Sequence, residues 1–387
     1  MLVLIFGKRC VLALCIASMF LVFQANAQPL VGGGSTASQG FFEEFFSETD
    51  IDAEYVGIGS GKGKQAYLEN DSDNLTIGGF PVYVPKVLVA YSSSESKLTI
   101  SQLDEYNHRY NNGFASLVAD FGPVVQVPYM VATVTFPYRN SGISDLNLTD
   151  AQICAIFSGN ITNWSQLVSG ASGTIDLVYR IDESGTTEIM ARFLSSQCAQ
   201  NFQVSNNFAQ VMSNVGGIRA NWIGVHGGRN MALVTKQAQG RLGYVAASHV
   251  DVNDNAQVAR VRGVLPSLLS TTLMQAHVTS SPPSPPQWEH PLAWSPEFSF
   301  PPVPGAYPVM GYGNLTIGQC YEDESTAEAV AALLAGILAS DQLLREHQAL
   351  PLFAAWKNAI NMAFLTPTSE LAIGNAVTCS NKGRKPP

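Results

Sequence analysis

Within eight consecutive residues, Arg180-Ile181-Asp182-Glu183-Ser184-Gly185-Thr186-Thr187, the chain places a guanidinium, two carboxylates, three hydroxyls and a glycine. Hydroxyls and a glycine just before a helix make an anion site. The first backbone N–H groups of a helix have no carbonyl to bond, and the helix dipole adds partial positive charge there. Gly185 lets the backbone approach a ligand closely. Arg180 offers a planar fork of donors, and Asp182 is placed to hold that fork in one orientation. On this segment alone, an ordinary capped helix with a solvated Arg180–Asp182 pair accounts for the pattern equally well.

The elements that must position these groups flank them directly. Residues Ile175 to Tyr179 are apolar and β-branched, which predicts a strand. From about Glu188 to Leu194, the apolar positions Ile189, Ala191, Phe193 and Leu194 predict a helix. The same order of strand, small donor-rich turn and helix recurs twice nearer the N-terminus. Leu30-Val31 leads through Gly32-Gly33-Gly34-Ser35-Thr36 into Phe41, Phe42, Phe45 and Phe46, spaced to bury one helix face. Tyr55-Val56 leads through Gly57-Ile58-Gly59-Ser60-Gly61-Lys62-Gly63-Lys64 into a helix expected over Gln65 to Leu68. That loop fails as a nucleotide-binding P-loop, because Ile58 stands where Gly is needed and Gln65 where Ser or Thr is needed. Three such junctions in a parallel α/β sheet would direct three helix N-termini at one space.

Composition limits what that space can serve. The first residues carry Lys8 and Arg9, then an apolar run from Val11 to Phe23, then Ala25-Asn26-Ala27. This predicts a secretory signal over residues 1–27, with the mature chain starting at Gln28. A lipoprotein box at Leu12-Ala13-Leu14-Cys15 is disfavoured by the bulky Leu14. Cleavage would remove Lys8 and Arg9 and move the formal charge from −9 to −11. So acidic a product has no general attraction for nucleic acid or anionic membrane, and no later segment is long and apolar enough to span a bilayer. Cys10 and Cys15 leave with the signal. Cys154, Cys198, Cys320 and Cys379 remain, an even number that suggests two disulfides in an oxidising compartment. Of the three connectivities, sequence proximity favours Cys154–Cys198 with Cys320–Cys379. There is no Cys-x-x-Cys, and the six histidines are scattered, so neither a metal nor another cofactor is expected.

Further along, Val87 to Ala90 predicts a strand and Ser92 to Ser96 a polar turn. Pro128 to Phe136 predicts an extended segment and Thr149 to Phe157 a capped helix. A proline-crowded loop or linker without a core of its own covers about residues 280–304. A strand from Tyr307 to Thr316 follows, then helices over Ala327–Ala339 and near Phe353–Ala363.

Taken together, these stretches resemble the periplasmic phosphate-binding proteins of the high-affinity phosphate ABC importer, and among them the DING-type branch. The resemblance rests on the order and spacing of six stretches: Gly32-Gly33-Gly34-Ser35-Thr36-Ala37; Gly57-Ile58-Gly59-Ser60-Gly61; Ser94-Glu95-Ser96-Lys97-Leu98; Ile156-Phe157-Ser158-Gly159 with Ile161-Thr162-Asn163-Trp164; Arg180 to Thr187; and Gly243-Tyr244-Val245. It implies an α/β, two-lobed periplasmic-binding-protein fold of type II, with a ligand cleft between lobes and two crossovers. Lobe 1 would comprise residues 28–128 and 306–387, and lobe 2 residues 129–305, including the proline-rich segment. Inorganic phosphate would be held by Thr36, Ala37, Ser60 and Gly61 from one lobe and by Ser184, Gly185 and Thr186 from the other. Arg180 would be the one full positive charge on the anion, oriented by Asp182. Glu95 would accept a hydrogen bond from the ligand's own proton, at a position where the family carries Asp; Asp71 and Asp73 are the alternative acceptors. The expected protein is an exported, non-catalytic monomer, periplasmic or secreted, with an ABC permease as a partner. Two rivals stay open: a secreted phosphomonoesterase built on the same site, and an adhesive or inhibitory protein that docks through its proline-rich loop.

Overall fold

The computed structural model describes residues 28–111 and 120–387; the signal expected over residues 1–27 lies outside them, as do Cys10 and Cys15. Among the described residues, no helix is long and apolar enough to cross a membrane.

Two separate sheets carry the architecture. The larger has seven strands. Ala53–Gly57, Leu30–Gly34 and Val89–Ser94 run parallel to one another, and Met310–Gly318 and Val124–Thr135 continue the sheet in antiparallel pairs. The smaller has four strands, with Ile223–Val225, Asp176–Arg180 and Arg241–Leu242 parallel and Tyr138–Arg139 antiparallel at its edge. All twelve residues of Val124–Thr135 are buried, as expected of a strand covered on both faces. This strand runs through residue 129, where the sequence reading sets the change of lobe, and it pairs with Met310–Gly318 over most of its length.

Several elements differ from their sequence-based limits, each for a local reason. The strand expected to end at Ala90 continues to Ser94, and all of its residues are buried. Two of its serines find partners, Ser93 Oγ lying 2.8 Å from Tyr129 Oη and Ser94 Oγ donating to the Ser96 carbonyl at 2.7 Å, while Ser92 Oγ is buried without a hydrogen-bond partner among the described residues. The helix expected from Gln65 begins at Ser60 and runs to Glu69, and the one expected from Glu188 begins at Gly185 and runs to Gln197. Glycines and hydroxyls conceal both starts from apolar periodicity. Thr149 caps Asp150–Phe157 through a reciprocal capping box with Gln152.

The proline-rich stretch has two short 3₁₀ turns, Pro285–Gln287 and Pro291–Trp294. It has no core of its own but enters the main one. Trp294 is fully buried against Trp356 and Phe364, and Phe300 meets Phe193 edge-on. The disulfides join Cys154 to Cys198 and Cys320 to Cys379.

Candidate functional site

The parallel strands of the larger sheet end side by side, at Gly34, Gly57 and Ser94. The residues that follow them, Ser35 to Ala37, Gly59 to Gly61, and Glu95, therefore share one edge. In an open α/β sheet this carboxyl edge is where ligands bind. Helices Gln39–Glu48 and Ser60–Glu69 start from it. In the smaller sheet, Asp176–Arg180 ends at Arg180 and Ile223–Val225 at Val225, and helices Gly185–Gln197 and Gly228–Gln237 follow.

The two edges face each other and touch. Gly61 N donates to the Glu183 carbonyl at 3.2 Å, Gly228 N to Thr36 Oγ1 at 3.1 Å, and Ser248 Oγ to the Ala37 carbonyl at 3.1 Å. Glycine is needed at this contact. A Cβ on Gly185 would lie 2.5 Å from Glu95 Oε2 and 2.7 Å from Ser60 Oγ. Gly59, at φ +99°, lies where a Cβ would come within 2.8 Å of Asp182 Oδ2.

Arg180 is 2% exposed. Its Nε donates to Asp182 Oδ1 at 2.7 Å and its Nη2 to Asp182 Oδ2, a two-point clamp that fixes the guanidinium plane. Asp182 Oδ1 also accepts from Gly227 N at 3.0 Å. Burial raises the Asp182 pKa, but the bonds and charge of Arg180 together with Gly227 N–H outweigh it, so the net shift is downward. The Arg180 backbone N–H donates to Tyr244 Oη, which also pairs with Thr187 Oγ1. Ser184 caps its helix by accepting from Thr187 N at 3.3 Å, and Gly185 and Thr186 stand in the first turn, where N–H groups have no intrahelical acceptor.

Opposite lies Glu95, 6% exposed. Both carboxylate oxygens accept from hydroxyls, Oε1 from Ser35 at 2.5 Å and Oε2 from Ser60 at 3.2 Å. Desolvation pushes its pKa up, while the two serines and the Arg180 charge pull against that shift. The structure thus gathers Thr36, Ala37, Ser60, Gly61, Glu95, Arg180, Asp182, Ser184, Gly185 and Thr186 around one cleft. Two of the expected backbone donors have protein acceptors here: Ala37 N bonds to Ser35 Oγ at 3.1 Å, and Gly61 N to Glu183 O. Lys64 of the glycine-rich loop donates to the Lys97 carbonyl, and Asp71 and Asp73 pair with Lys86. Among the described residues, no group of three or more His, Cys, Asp or Glu could hold a metal ion.

Sequence reasoning misses Ser35, the Gly227-Gly228 turn and His249. The turn follows the same strand–glycine–helix order, but its strand spans only Ile223–Val225, too short to flag by pattern. His249 comes from a 3₁₀ turn, and no motif marks it. Its Nε2 is buried without a hydrogen-bond partner, beside Gly228. Desolvation, then the charges of Arg180 and Arg229, depress its pKa to about 4, so the imidazole is neutral at pH 7.

A family model described as a PBP superfamily domain matches residues 24–340. A protein named alkaline phosphatase L from Pseudomonas aeruginosa (strain PAO1) is 36% identical over 384 residues, covering 97% of this chain and 99% of that one. Two solved structures are also similar. One is a phosphate-binding protein from Stenotrophomonas maltophilia, with a TM-score of 0.80 and 30% identity, covering 92% of this chain and 100% of that one. The other is a high-affinity periplasmic phosphate-binding protein, PfluDING, bound with phosphate at pH 8.5, with a TM-score of 0.82 and 29% identity over 92% and 99% of the two chains. With these matches and two facing α/β sheets, the chain belongs to the PBP superfamily, and phosphate-binding proteins, DING-type ones among them, are its structural neighbours.

Proposed function

We propose that this chain is an exported protein that captures inorganic phosphate in the cleft between its two sheets, for ABC-type uptake. The observation that carries this reading is a buried, clamped guanidinium whose charge acts on a buried carboxylate of the facing edge. A cation with donors alone would accept any oxyanion. An added acceptor-only carboxylate favours an oxyanion that still carries a proton, as phosphate does at neutral pH. Thr36, Ser184, Gly185, Thr186 and the backbone N–H of Ser60 supply the remaining donors, and closure buries the anion among them. Export to the periplasm or beyond, a monomeric state and delivery to a permease complete the reading. The phosphate-bound relative supports the ligand.

A second reading, a phosphomonoesterase, is favoured by the name of the Pseudomonas aeruginosa relative. Nucleophilic catalysis needs a hydroxyl with an adjacent base. His249 Nε2 has no hydrogen-bond partner among the described residues, and the hydroxyls that do meet a base, those of Ser35 and Ser60, donate to Glu95, the carboxylate that the capture reading assigns to the ligand's proton. The two readings separate in one experiment: purified protein is incubated with a chromogenic phosphate ester, then titrated with phosphate by calorimetry. Saturable phosphate binding with no ester turnover supports capture. Multiple turnovers that are lost in Arg180→Ala would establish the esterase.

A further inference from the structure

We propose that Ser35 is a positioning residue that sets the selectivity of the cleft by fixing the carboxylate of Glu95; the inference rests on phosphate capture at this site. A Glu side chain has one more rotatable bond than Asp, so a carboxylate at position 95 needs something to hold it. Ser35 supplies that hold. Its Oγ donates to Glu95 Oε1 at 2.5 Å, among the shortest side-chain bonds in the cleft, and both residues are buried.

The proton of Ser35 is committed in one direction. Its Oγ accepts from Ala37 N at 3.1 Å, so the hydroxyl hydrogen turns toward Glu95. The backbone at Ser35 is fixed as well: its carbonyl accepts from Tyr55 Oη at 2.8 Å, and its N–H bonds to the Ser93 carbonyl at 2.9 Å. Ser60 takes the other carboxylate oxygen at 3.2 Å. With one hydroxyl donor on each oxygen and a backbone N–H besides, the group is held as a carboxylate in a single orientation, and a lone pair left open can accept from a proton on the ligand.

Ser35 therefore acts twice. It withdraws the Ala37 N–H, which would otherwise serve any oxyanion, and it keeps Glu95 ionised, so that only a protonated oxyanion is accommodated. The charged and titratable groups around Glu95 are Arg180 from the facing edge, Tyr55 and Tyr129 from the larger sheet, and Lys97, Glu188, Arg192 and Glu297 lining a small cavity that Glu95 shares. Arg180 favours the ionised form of Glu95. The tyrosines stay neutral at ordinary pH, because burial raises both of their pKa values.

The test is Ser35→Ala, with phosphate affinity measured from pH 4.5 to 8 and sulfate competition measured at pH 7.5. Removing a bond that favours the charged form raises the Glu95 pKa further, so the acid limb of phosphate binding should move to higher pH. Freeing both the carboxylate and the Ala37 N–H should lower phosphate-over-sulfate discrimination by roughly tenfold or more, about the worth of one hydrogen bond to a charged group. Ser35→Thr, which keeps the hydroxyl, should restore both. In a Glu95→Gln background, Ser35→Ala should leave the acid limb where it is. Unchanged discrimination and an unmoved acid limb in Ser35→Ala would overturn the proposal, as would a plain loss of affinity with both unchanged. A parent protein that binds no phosphate would instead remove the capture reading beneath it.

Discussion

The two walls of the cleft solve opposite problems. On the smaller-sheet side, a cation is buried and neutralised in place, because Asp182 grips Arg180 at two points and is itself held by Gly227 N–H. On the larger-sheet side, an anion is buried with no cation bonded to it, and two serine hydroxyls and a backbone N–H satisfy its oxygens. A buried charge is tolerable when its hydrogen-bonding capacity is filled, whether by a counter-charge or by dipoles. On the proposed capture reading, the site's discrimination resides in the wall without a cation: the Arg180 wall would attract oxyanions in general, and the Glu95 wall would reject those that bring no proton.

The comparison breaks most visibly at Glu95. The intact protein should prefer phosphate to sulfate by a factor on the order of 10⁴, as expected when a buried polar group would otherwise go unpaired. Glu95→Gln supplies a donor in its place and should remove most of that preference while weakening phosphate only moderately. A competition titration at neutral pH measures both forms. Equal sulfate and phosphate affinity in the parent would show that Glu95 does not face the ligand's proton.

Each wall also carries its own staple. Cys154–Cys198 ties helix Asp150–Phe157 to the end of helix Gly185–Gln197, and Cys320–Cys379 ties the end of Met310–Gly318 to the C-terminal segment. With separations of 44 and 59 residues, each should contribute about 3–4 kcal/mol on the chain-entropy account. Replacing each pair by alanine and following urea unfolding would show similar losses. A loss confined to one pair would mean that the walls are not equally dependent on their staples.

Next in size, Arg180→Ala should cost at least about 2–3 kcal/mol in phosphate affinity, since the anion then faces dipoles and an unbalanced Asp182. An unchanged dissociation constant would displace Arg180 from the site.

Most gradual is a pH effect at the seam between the walls, spread over about 2.5 pH units. The pKa of His249 is depressed to about 4 in the folded protein, against about 6.5 when unfolded. The unfolded chain thus binds the extra proton first. The stability carried by the neutral imidazole is fully present above about pH 6.5 and declines by roughly 1.4 kcal/mol per pH unit on the way down to about pH 4. His249→Gln should flatten that portion of the stability-versus-pH curve measured by thermal unfolding. An equally steep curve in the variant would place the acid sensitivity elsewhere.

Strand–turn–helix order was enough to bring Arg180, Ser60 and Thr36 to one cleft, because chain direction in a parallel sheet dictates where strand ends meet. The family resemblance supplied Glu95. Cysteine proximity favoured the pairing seen. What stayed hidden has physical causes. Ser92 to Ser94 are polar yet lie in a buried strand, two of them with hydroxyls that bond nearby, and periodicity reads only apolar residues. Gly59 and Gly61 begin a helix without any apolar residue to mark it. His249 and Gly228 matter through contacts between elements far apart in the chain, which local spacing does not encode. The proline-rich segment gave no sign of its anchoring, since a single tryptophan, Trp294, carries much of it.

The most direct test of the two-wall account is a crystal structure of the protein grown with phosphate at neutral pH. The account predicts one phosphate in the cleft, with oxygens on the Arg180 guanidinium and on the first turn of helix Gly185–Gln197, and with its protonated oxygen against the carboxylate of Glu95. A phosphate bound outside the cleft, or one inside it that left Glu95 without contact, would contradict the account.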